Sequence, residues 1–142
     1  MKRSVAICAI FLTVIGLAPS NAATKITLTP QFSVSHKNPT LTFTFSGLPK
    51  THGIYLEQCM APGKSGIPTH CNPAETAKLW ISNVVADTQQ GATSGKGKVT
   101  MKIDPYFKSG DCIHTTCVIF ATSDHNAPQD RSEDQAIKFR FS

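Results

Sequence analysis

A chain of 142 residues has room for one domain with a single core, and no linker or second domain is needed. The formal net charge of +5 is ordinary solubility charge. The lysines and arginines are spread along the sequence with no basic run interleaved with aromatics, which argues against direct nucleic-acid binding.

At the N-terminus, Lys2 and Arg3 precede an apolar run from Val5 to Leu17. The run is long enough for the core of a signal peptide and short for a membrane span. Ala18-Pro19-Ser20-Asn21-Ala22 follows, and small residues at Ser20 and Ala22 suit signal peptidase. Cleavage is therefore expected between Ala22 and Ala23, leaving 23–142 as the mature domain. Loss of Lys2 and Arg3 lowers the net charge to about +3. Cys8 lies inside the apolar run, not at its boundary, so a lipoprotein is not expected. The mature chain should be secreted and monomeric, with no membrane span and with attachment to the cell surface left open.

Alternation dominates the rest. Thr40-Leu41-Thr42-Phe43-Thr44-Phe45 predicts a half-buried strand with Leu41, Phe43 and Phe45 inward. Between 135 and 141 the pattern returns, with Ile137, Phe139 and Phe141 inward and Lys138 and Arg140 in water. Further strands are predicted over 25–29, 32–35, 53–59, 79–85, 98–103 and 117–122, separated by clusters such as Gly47-Leu48-Pro49 and Asp124-His125-Asn126. No helical stripe appears. Seven or eight short strands in about 120 residues predict an all-β fold, an antiparallel sandwich of immunoglobulin type, with a small closed barrel as the alternative. Lys96, Lys98 and Lys102 lie opposite in parity to Val99, Met101 and Ile103, as expected of a solvated face that discourages edge pairing, with a basic stripe for an acidic partner as the alternative. Trp80, the single tryptophan, is expected to pack in the core or on a sheet face, with ligand stacking as the alternative.

Four cysteines remain after cleavage: Cys59, Cys71, Cys112 and Cys117. An even count in an exported domain reads as disulfides. The local pairs Cys59–Cys71 and Cys112–Cys117 are favoured, because each closes a short segment between strands. A zinc site on these thiols with His70 or His114 is the competing reading, weakened by the oxidising compartment and the irregular spacing. No enzyme is expected. The histidines are scattered over predicted loops, no nucleophile motif accompanies them, and Asp111 or Asp124 beside His114 or His125 reads as a surface hydrogen bond before an acid/base couple.

The residues around the cysteines carry a resemblance. Tyr55-Leu56-Glu57-Gln58-Cys59, a loop and Cys71-Asn72-Pro73-Ala74, followed by Asp111-Cys112, Cys117 and Ser123-Asp124, resemble the disulfide hairpins of the neocarzinostatin family, whose order the whole mature chain follows. The resemblance implies a seven-stranded immunoglobulin-like sandwich with the same two disulfides, secreted by an actinobacterium. It also implies an antibiotic-related cleft holding a small, non-covalently bound apolar or aromatic chromophore, with DNA reached only through that molecule. No other cofactor and no metal is implied.

Carried over position by position, the cleft takes in Gln58, Met60, Ala61, Thr76, Tyr106, Phe107, Val118, Phe120 and Thr122. Ala61 and Thr76 stand where the family has stacking aromatics. Phe120 stands where it has a small floor residue, and Thr122 keeps the hydroxyl that hooks the ligand. Tyr106 and Phe107, on a shortened ribbon, either cap the cleft or end a strand in the core. A filled floor would leave a secreted or cell-surface interaction module without a small ligand as the alternative function.

Overall fold

A computed structural model describes residues 23–142, so the leader expected over 1–22 lies outside the described residues. Ten strands follow in order: β1 (Lys25–Thr29), β2 (Thr40–Ser46), β3 (Ile54–Met60), β4 (Lys78–Ser82), β5 (Thr93–Ser94), β6 (Val99–Lys102), β7 (Tyr106–Phe107), β8 (Gly110–Asp111), β9 (Cys117–Ser123) and β10 (Gln135–Phe139). Three of these are two-residue pieces, so seven strands carry the fold.

β1, β2 and β6 form one antiparallel sheet in that order. The second sheet runs β10-β9-β3-β4-β5 and is antiparallel except at the short β4–β5 pair, while β7 and β8 make a separate hairpin. Leu41, Phe43 and Met101 of the first sheet share a buried cluster with Leu56, Ile81 and Ile119 of the second, so the two sheets face each other as a sandwich. The alternation of β2 produces this directly: Leu41 and Phe43 are fully buried, while the threonines beside them are half-buried or exposed. Burying each such side chain contributes about 1.5–3 kcal/mol.

Both disulfides join the expected partners, Cys59 to Cys71 and Cys112 to Cys117. Their sulfurs are therefore not available as zinc thiolates. Val99, Met101 and Ile103 are buried while Lys98 and Lys102 are exposed, at the open edge of the three-stranded sheet.

Two strand expectations need correction. Segment 32–35 contributes only a bridge from Val34 to Phe141, because Ser33 takes a positive φ of 67° that breaks an extended run. The strand expected over 79–85 stops at Ser82, whose hydroxyl accepts the Val84 N–H at 3.0 Å and donates to Asp87 at 2.6 Å. That turn opens a five-residue helix, α1 (Val85–Gln89), too short for a 3.6-residue period to show in the sequence.

Candidate functional site

The outer face of the five-stranded sheet, away from the core, is built by register. Across β10, β9 and β3, Ala136 lies opposite Phe120 and Phe120 opposite Glu57; Glu57 is opposite Lys78 of β4. In the adjacent row Thr122 is opposite Tyr55, and Tyr55 is opposite Trp80. β9 is apolar on both sides: Ile119 and Ala121 enter the core, while Val118 and Phe120 form a second cluster with the Cys59–Cys71 disulfide. Phe120 is only 8% exposed.

Where β3 meets β4, this face opens into a groove of about 220 Å³ lined by Tyr55, Leu56, Glu57, Glu75, Lys78, Leu79 and Trp80. Tyr55 and Trp80 are inclined at 49° with ring centroids 6.2 Å apart, and His125 sets its ring edge against Trp80 at 4.9 Å. The Tyr55 hydroxyl reaches His125 Nδ1 at 2.5 Å. The short 3-10 turn Glu75–Ala77 brings Glu75 to the rim, where its carboxylate lies 4.0 Å from Lys78 Nζ.

Asp124 anchors this corner from below. Its carboxylate accepts the Trp80 indole N–H at 2.9 Å, the Gly53 N–H at 2.8 Å and the Asn126 N–H at 2.9 Å. Burial alone would raise the Asp124 pKa; the indole and the two backbone donors, with nearby His125, outweigh it and hold the carboxyl below its usual range. Burial, reinforced by the Asp124 charge, pushes the Tyr55 phenol up. The close approach of β3 to this carboxylate requires Gly53, since a Cβ there would lie 2.5 Å from the Ile81 carbonyl oxygen and 2.9 Å from Asp124 Oδ2. Asn126 also donates to Asp87 at 3.1 Å, which ties α1 to the same corner.

Of the nine cleft residues expected from the sequence, three stand side by side on the outer face: Val118, Phe120 and Thr122. The Thr122 hydroxyl donates to Asp134 at 2.9 Å. Gln58 is fully buried; its amide donates to the Asp104 carbonyl at 2.6 Å and accepts from Asp104 N–H and Asn72, both at 2.9 Å. Met60 packs on the core, its sulfur 3.8 Å from Cys117 Sγ. Ala61 is exposed at the hairpin edge and donates its N–H to Thr116. Thr76 lines a separate hollow with Thr100 and Lys102. On the ribbon, Phe107 packs on the core and Tyr106 is exposed.

None of the nine lines the Tyr55–Trp80 groove. Tyr55 and Glu57 share the parity of Cys59, which places them on the outer face of β3. Trp80 is on a sheet face, one of its two expected settings. Asp111 accepts from His114 Nδ1 at 2.8 Å with both side chains exposed, as a surface pair.

No protein-family model and no curated protein matches the sequence. Among solved structures, macromomycin, an apoprotein of the neocarzinostatin family, superimposes with a TM-score of 0.57 at 20% identity, covering 84% of this chain and 100% of that one. The resemblance carried by the cysteine segments is thus matched in three dimensions, and the chain has the macromomycin fold, an all-β sandwich with two local disulfides.

Proposed function

We propose that this chain is an exported carrier, not an enzyme, whose sandwich holds a small flat apolar or aromatic molecule non-covalently on the outer face of the β10-β9-β3-β4 sheet. The groove walled by Tyr55 and Trp80 carries this reading, because two inclined aromatic rings at the β3–β4 junction offer stacking area with little side-chain ordering to pay. Thr122, opposite Tyr55 in register, extends the same face and would meet the rest of a larger ligand, whereas Val118 and Phe120 are buried with the Cys59–Cys71 disulfide. The leader 1–22 serves export, and the mature chain begins at Ala23. Within the described residues no helix is long and apolar enough to cross a membrane.

Native mass spectrometry of the protein secreted by its own organism should find a co-purifying small molecule, and a neutral polycyclic aromatic probe should change Trp80 fluorescence. A clean apo mass with an unresponsive Trp80 would overturn the carrier reading. It would favour an interaction module built on the same scaffold, a reading supported by Phe120, whose ring covers the disulfide where an open floor would be needed.

A further inference from the structure

We infer that the Tyr55–Trp80 groove selects flat aromatic molecules that carry a positive charge, with Glu57 as the carboxylate that reads the charge. This inference rests on the carrier reading and adds the chemical class of the cargo. The groove's volume of about 220 Å³ lies below the range of a whole drug-sized pocket, so it takes a fused-ring portion of a ligand and leaves the remainder on the sheet face.

The charges in the groove run against those of the protein. The chain is basic overall, yet the groove is lined by two carboxylates, Glu57 and Glu75, and one ammonium, Lys78. Lys78 lies directly opposite Glu57 in the strand register, but its Nζ approaches Glu75, whose side chain is 93% exposed. Such a solvated contact holds Lys78 weakly. Glu57 is half-buried, between Phe120 and Lys78 in register, and has no ion pair among the described residues.

The aromatic walls act in the same direction. Faces of Tyr and Trp rings carry partial negative charge and attract cations. Hydrogen bonding of the Trp80 indole N–H to the Asp124 carboxylate places a further negative charge at the edge of that ring. A neutral ring system gains only burial here, an anion meets Glu57 and the ring faces, and a cation gains both burial and charge.

Trp80 fluorescence titrations with proflavine, a planar tricyclic cation at neutral pH, and with anthracene, its neutral counterpart of equal ring count, test this directly. Proflavine should bind about tenfold more tightly at low salt, with the advantage shrinking as salt screens the two carboxylates. Glu57→Gln should remove most of that ratio, and Glu75→Gln, at an exposed position, a smaller part. Thermal unfolding checks that each variant is folded. Equal affinity of the two probes for the wild-type protein, or a ratio that survives in Glu57→Gln, would overturn charge selection while leaving the carrier reading intact. Absence of a response to either probe would overturn both.

Discussion

Asp124 is the residue on which the groove corner depends. It is almost fully buried, and its two oxygens serve donors from three separate segments: Gly53 before β3, Trp80 in β4 and Asn126 after β9. Replacing it by Asn turns an amide NH₂ toward at least one of those donors, because neither oxygen is free of them. The expected loss is about 2–3 kcal/mol near neutral pH, read as a fall in Tm of roughly 10 °C. The carboxyl's pKa is lowered in the folded protein, so its stabilisation is complete above the unfolded value of about 3.9 and is lost as pH falls through the lower folded value. Melting curves between pH 2 and 7 should therefore show the gap between wild type and Asp124→Asn closing on the acid side. A gap that stays constant to pH 2 would remove the carboxylate's charge from the explanation.

At the scale of elements, β9 is the strand that decides what the outer face offers. It is buried on both sides: Ile119 and Ala121 meet the opposite sheet, and Val118 and Phe120 cover the Cys59–Cys71 disulfide. Phe120→Ala should cost about 1–3 kcal/mol, less than a comparable loss between the sheets, because the vacated volume opens to solvent on one side. The same change exposes the disulfide and adds its apolar surface to the face beside the groove. Binding of a large polycyclic probe should therefore increase, as measured by Trp80 fluorescence; unchanged affinity would confine the ligand to the β3–β4 groove. The disulfides act on elements too, each closing a short loop between strands, and each should contribute roughly 2–3 kcal/mol.

For the whole molecule, the exposed edges and apolar residues predict a monomer. β6 presents Lys102 with Lys98 beside it, and β10 presents Lys138, so one edge of each sheet carries charge that opposes strand pairing between copies. Phe32, Ile67, Val85 and Tyr106 are exposed but belong to four separate segments: the bend after β1, the Cys59–Cys71 loop, α1 and β7. Sedimentation velocity of the secreted protein should give a single species of monomer mass, and a concentration-dependent dimer would show that one of these faces is covered in solution.

The β2 and β10 strands and the pairing of neighbouring cysteines were legible because each depends on a short stretch of chain. A period of two fixes which side chains share a face, and a short loop brings its own ends together. The end of β4 at Ser82 was not legible, since it depends on a hydroxyl bridging Val84 and Asp87. Nor was the position of the groove. Alternation assigns Tyr55, Glu57, Val118 and Phe120 to one face of the sheet without saying which part of that face is covered. The disulfide hairpin closes the part over Val118 and Phe120, and the turn carrying Glu75 leaves the part over Tyr55 and Trp80 open. The sequence by itself determined the strands, the two faces and the staples; only the tertiary structure decided where the outer face stays accessible, because that depends on which distant segments pack across it.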